Sequence, residues 1–234
     1  MDLNCYIAMT PAEFRSVTSL PDKVAWLACH FSPRSRGLSN LPENLPGGSV
    51  LIVDDSYTPG EHDPALVAQQ LVDAVNRFAL KAVILDFQIP GMPKTAEMVT
   101  HLTKALPCPV CVAAPYAKSL NCPVLVPPPP LHVSPRKHFD TWRGREIWLE
   151  SVLEAQRITV TEQGSIINTI PYLPPTKDCF TDEKLCCKYQ TKIYEDRVEF
   201  TLIRDAEMVR SLLQRSEKLG IHHAVGLYQQ HIPP

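Results

Sequence analysis

The chain has 234 residues, 44% of them hydrophobic and 21% charged, and a formal net charge of −2. That is enough apolar material for the sizeable core of one α/β domain, and the near-neutral balance excludes a broad electrostatic lure for nucleic acid or anionic membrane. No run approaches the roughly 18 apolar residues of a membrane span. The opening MDLNCYIAMTPAEF also lacks the basic and long apolar regions of a secretion signal, so a cytoplasmic protein with reduced cysteines is expected.

The first apolar run, Leu3 to Met9, reads as a strand. Thr10, Pro11 and Glu13 then form the start of a short helix, with Thr10 as N-cap and Glu13 closing a capping box. Val24 to Phe31 fits a buried strand, and Ser32 to Gly48 is loop. Ser49 to Asp54 is a third strand ending in two acids. Asp63 caps the next helix, which carries Leu66, Val67, Leu71, Val72, Val75 and Phe78 at helical spacing. Ala82 to Phe87 is a fourth strand, Lys94 to Leu106 a helix, Val110 to Ala114 a fifth strand and Pro123 to Val126 a sixth. Continuous apolar strands alternating with amphipathic helices predict a parallel sheet covered on both faces or closed on itself. No glycine-rich phosphate loop follows any strand, which argues against a nucleotide-binding domain.

From about 145 to 204 the pattern changes. Arg157 to Asn168 alternates around Glu162-Gln163-Gly164, and Leu185 to Ile203 around Tyr194-Glu195-Asp196; both read as hairpins. Asp205 then caps a helix bearing Val209, Leu212, Leu213 and Leu219, Gly220 stops it, and His223 to Leu227 is the last strand. Twenty-three prolines, many at the ends of apolar runs, predict a loop-rich rim, with Pro127 to Pro130 as a rigid loop or a mobile lid. Cys108 and Cys111 have C-x-x-C spacing but lie in a strand-like run, and no second such pair exists. Neither a metal nor a cofactor is expected.

The strand Lys81-Ala-Val-Ile-Leu-Asp-Phe-Gln-Ile-Pro90 resembles the fourth strand of the chitinase-like family 18 glycoside hydrolases, whose motif there is D-x-x-D-x-D-x-E followed by an aromatic residue and proline. On that motif Gln88 falls at the catalytic glutamate, Asp86 at the nearest aspartate and Pro90 at the proline, while Lys81 and Ile84 replace the other two aspartates. The final helix, Gly220 and Ala224-Val-Gly-Leu-Tyr228 are similar to that family's last helix and eighth strand, with Tyr228 near the tryptophan that floors the sugar site. The tyrosine-aspartate pair usual on the sixth strand is absent. The resemblance implies an α/β fold: a small or incomplete (β/α)8 TIM-type barrel, one domain over 1–234, elaborated by antiparallel hairpins at about 145–204.

It also implies the chemistry. In that family the glutamate protonates the leaving glycosidic oxygen while the substrate's acetamido group attacks the anomeric carbon. An amide has no proton to give as a general acid, although Gln88 can hydrogen-bond a sugar. The resemblance therefore implies a barrel that is inactive by the family mechanism and binds carbohydrate or serves as a scaffold. The alternative is a hydrolase using another carboxylate pair, Asp54 or Asp55 with Asp86. Strand C-terminal ends face the functional mouth in such barrels, so the candidate ligand contacts are His30, Asp86, Gln88, Tyr116, Tyr228 and Gln229. Each also has a structural reading: Asp86 bonded to Gln88, Asp54 and Asp55 capping a turn, His30 and the His222-His223 pair as rim residues. Trp142 and Trp148 flank the basic stretch Arg136 to Arg145, placed either to stack on a sugar ring or to pack over the hairpins. A carbohydrate ligand is the expected partner, with no nucleic acid or membrane; no protein partner is named by the sequence.

Overall fold

The computed structural model describes residues 3–57 and 59–230. In chain order it forms β1 (Asn4–Met9), α1 (Pro11–Ser16), β2 (Val24–Phe31), β3 (Leu38–Ser39), β4 (Val50–Asp54), α2 (Pro64–Phe78), β5 (Ala82–Asp86), α3 (Pro93–Ala105), β6 (Val110–Ala113), α4 (Ala114–Ala117) and β7 (Val124–Val126). There follow α5 (Pro135–Phe139), β8 (Ile147–Ser151), β9 (Glu154–Thr161), β10 (Gly164–Ile170), β11 (Phe180–Asp182), β12 (Cys187–Ile193), β13 (Val198–Arg204), α6 (Ala206–Lys218) and β14 (His223–Leu227). The capping chemistry read from the sequence is present. Thr10 and Glu13 form a complete capping box, Asp63 accepts from the Ala65 N–H at 3.0 Å, and Asp205 from the Met208 N–H at 2.9 Å.

Eight parallel strands close into a barrel in the order β1-β2-β4-β5-β6-β7-β8-β14, with β14 pairing back to β1; two-residue β3 adds antiparallel to β2. The fold is thus an α/β barrel of TIM type, closed, with an uneven set of helices: a loop and β3 join β2 to β4, and α1, α4 and α5 are short. Because side chains alternate along each strand, the barrel has two cores. Tyr6, Ala8, Ala25, Val50, Ile52, Ala82, Ile84, Cys111, Leu125, Trp148 and Val225 fill its inside. A larger cluster, including Val53, Leu71, Leu85, Phe87, Leu102 and Leu212, packs between the strands and the outer helices. Each fully buried large aliphatic side chain contributes roughly 1.5–3 kcal/mol.

One expectation is corrected. The segment Ile147–Ser151, taken as part of the insertion, is β8, the seventh barrel strand, pairing β7 and β14 in parallel. Its Trp148 neither stacks at the surface nor packs over the hairpins. It lies 1% exposed inside the barrel, between the rings of Tyr6 (5.4 Å) and His223 (4.4 Å, 9° between planes). Both hairpins are present as read, and β9 pairs β13, which joins them in one antiparallel sheet in the order β10-β9-β13-β12-β11.

That sheet is tied to the barrel rim. Arg204, fully buried, pairs with Glu154 and donates to the carbonyls of Pro129 (2.9 Å) and Cys186 (3.3 Å). Pro127 O meets His138 Nε2 at 3.0 Å and Pro130 O accepts from the Val133 N–H at 2.8 Å, so the proline run is a pinned loop. Arg145 donates to the carbonyls of Ala117, Leu120 and Cys122. No described helix is long and apolar enough to cross a membrane.

Candidate functional site

The chemistry gathers where strand ends open into the barrel mouth. Asp54 ends β4 and Asp86 ends β5, and the two are register partners, so neighbouring strands present two carboxylates side by side. Each continues the inward alternation, Asp54 after Val50 and Ile52, Asp86 after Ala82 and Ile84. A register shift between Leu27 and Cys29 in β2 re-aims the following residues and puts His30 beside Asp54. His30 is held by Phe31 O on Nδ1 (2.9 Å) and by the Asn40 side chain on Nε2 (3.1 Å), with the Tyr57 ring 5.0 Å away.

The three acids predicted as candidates do different work. Asp55 accepts from the backbone N–H groups of Gln88 and Ile89, both at 2.8 Å, so it shapes the turn after β5. Asp54 accepts from the Ser56 N–H at 2.8 Å and caps its own turn. Asp86 accepts from the Gln88 side-chain amide at 2.5 Å. Burial raises its carboxyl pKa; the Gln88 bond opposes this, and the charges of Asp55 and Asp54 add to it. Tyr116 donates to Ile89 O and accepts from the Met92 N–H at 3.3 Å, bracing the same turn from α4.

One mouth residue escaped the sequence reading. Glu150, on β8, alternates inward after Trp148 and lies across the barrel from Asp86. Burial, with a further push from Asp86, raises its carboxyl pKa to about 7. No described residue donates a hydrogen bond to it. The signal that could have found it is the stretch Ile147-Trp-Leu-Glu150-Ser151, short and apolar with an acid near its end, the same pattern as 50–54 and 82–86.

Tyr228 and Gln229 do not join this group. Tyr228 packs with the outer core and lines a cleft of about 740 Å³ outside the barrel, with Leu3, Cys5, Ile7, Val209 and Leu213. Gln229 bonds Glu13 of α1. The alternation explains it: Leu227 faces the barrel interior, so Tyr228 turns outward. Cys111 faces the interior among Ile84 and Leu125, where burial pushes its thiol pKa well above the usual range. Among the described residues no group of three or more His, Cys, Asp or Glu is placed to hold a metal ion.

Solved structures with this architecture include the spore cortex-lytic enzyme SleL of Bacillus cereus. It superposes with a TM-score of 0.57 at 9% identity, over 99% of this chain and 72% of that one. The fold is that of the chitinase barrel. A chitinase from Chromobacterium violaceum matches with a TM-score of 0.56 at 8% identity, over 99% of this chain and 95% of its own. A class V chitinase from Nicotiana tobaccum, a glutamate-to-glutamine variant in complex with NAG4, matches with a TM-score of 0.55 at 10% identity, over 97% and 94%. No protein-family model matches the sequence, and a search of curated proteins finds no relative.

Proposed function

We propose that the chitinase-like barrel mouth binds a carbohydrate containing N-acetylglucosamine and does not cleave it by the substrate-assisted route. The observation that carries this is Gln88. It stands where the motif resemblance puts the catalytic acid, and its amide is spent on Asp86 at 2.5 Å. An amide donates hydrogen bonds at every ordinary pH but transfers no proton, which leaves binding without this catalysis. The tobacco chitinase similar to this chain carries a glutamate-to-glutamine change and holds NAG4, which supports a sugar-binding role for a glutamine-bearing barrel.

The reading takes residues 1–234 as one barrel domain with the sheet at about 145–204 as its elaboration, and places it in the cytoplasm. The eight cysteines, read as reduced thiols, support the compartment. His30, Asp86, Gln88 and Glu150 are the proposed sugar contacts. Asp54 and Asp55 shape the turns beneath them and Tyr116 braces the rim.

A hydrolase working through another acid is the second reading, and Glu150 favours it. A carboxyl with a pKa of about 7 facing Asp86 meets the pKa requirement of a general acid. In the alternative pairing of Asp55 with Asp86, Asp55 is already committed to two backbone donors.

Calorimetric titration with N-acetylglucosamine oligomers of increasing length tests the binding claim. Saturable heat is expected, lost in Gln88→Ala and in Asp86→Ala. No heat with any oligomer rules out this ligand and leaves a scaffold role.

A further inference from the structure

We infer that two copies of this chain associate edge to edge through β10, joining their antiparallel sheets into one. The two edges of this sheet differ. β11 is three residues long and carries Asp182, the kind of short, charged edge that resists pairing. β10 is seven residues, Gly164-Ser-Ile-Ile-Asn-Thr-Ile170, with no charge, no proline and no bulge in its pairing with β9. Its outer side has no strand beside it, and no described residue outside β9 makes a backbone hydrogen bond to it. Alternate N–H and C=O groups therefore point to solvent from a regular, neutral, β-branched edge.

The occupant follows from the sequence of the strand itself. Two antiparallel copies related by a two-fold axis at Ile167 place Ile167 opposite Ile167, Ile166 opposite Asn168, and Ser165 opposite Thr169. No like charges meet, and the Ser165–Thr169 pairs are of a favourable cross-strand type. The register also continues an existing feature. On one face of the sheet Phe200, Ile158 and Ile167 are neighbours across β13, β9 and β10. Ile167 is 44% exposed at the end of that row. The two-fold axis extends the row into the second copy's Ile167, Ile158 and Phe200 without a break. A charged partner strand would gain the same backbone bonds but not this row, and a proline-bearing one would lose a bond as well, which favours a second copy.

Sedimentation velocity of the full chain from micromolar to submillimolar concentration tests the interface, using the wild type, Ile167→Lys, Ile167→Glu and an equimolar mixture of the two variants. The expected result is a reversible wild-type dimer. Each variant alone weakens it by at least about tenfold, equivalent to about 1.4 kcal/mol, and the mixture restores it because lysine then faces glutamate across the axis. Ile167 is an exposed edge residue, so the circular dichroism of both variants should match the wild type. A wild type monomeric throughout overturns the inference, independently of how the variants fold. A dimer that neither variant weakens, or a loss that mixing does not restore, overturns it equally.

Discussion

Gln88, Asp86 and Glu150 set what the mouth can do, and each makes a prediction of its own. Glu150 is held neutral by burial, with a folded pKa of about 7 against an ordinary value of 4.5. The folded protein therefore binds more protons at this site than the unfolded chain between those values, and stability falls as pH rises through that window. The full penalty, at 1.36 kcal/mol per unit an upper limit of about 3 kcal/mol, is present above pH 7 and absent below pH 4.5. Glu150→Gln, neutral at every pH, should then be more stable than the wild type at about pH 8 and indistinguishable at about pH 4. Urea unfolding at the two pH values measures the difference; equal stabilities at the higher pH would mean that Glu150 is solvated. Burial raises the Asp86 pKa too, and the Gln88 amide opposes that rise. Gln88→Ala removes the donor, so the Asp86 pKa should climb further, read as a chemical-shift titration of the Asp86 carboxyl.

At the scale of elements, two joints decide whether the mouth keeps its shape. Trp148 on β8 is clasped between Tyr6 of β1 and His223 of β14. Trp148→Ala leaves a void in the inner core of the barrel and should cost about 3–5 kcal/mol in denaturant unfolding. Arg204 joins the antiparallel sheet to the loop after β7. Arg204→Ala leaves the half-buried Glu154 without its cation and strips Pro129 O of a donor. The expected loss is about 3–5 kcal/mol, together with faster hydrogen exchange in residues 127–133, which Arg204, Gln156 and Cys187 anchor to the sheet. Exchange unchanged in that loop would show that its other anchors hold it without Arg204.

Across the whole molecule, the strand-helix alternation of the first half was legible because each element carries its own signal. Thr10 and Asp63 cap their helices as the sequence predicts, and the runs 50–54 and 82–86 are β-branched and apolar up to their terminal acids. Ile147–Ser151 was not legible. It is five residues long, follows the basic stretch 136–145 and runs almost directly into an exposed hairpin, so local pattern assigned it to the insertion. Only closure of the barrel makes it a strand, and Glu150 was lost with it. Tyr228 misled for the opposite reason. Its place after the last strand was right, but a period-two alternation sends it to the outer face, and one residue of offset decides between mouth and exterior. The candidates His30, Asp54 and Asp86 lie side by side because parallel register brings adjacent strand ends level.

The central claim is that this mouth holds a sugar and does not cleave it by the family mechanism. The most direct test is to incubate the protein with an N-acetylglucosamine tetramer and follow the oligomer by NMR, observing binding and bond cleavage in the same sample. The account predicts saturable line broadening of the tetramer with no shorter products, and loss of the broadening in Gln88→Ala. Shorter oligomers that accumulate with the wild type and vanish with Gln88→Ala would contradict it.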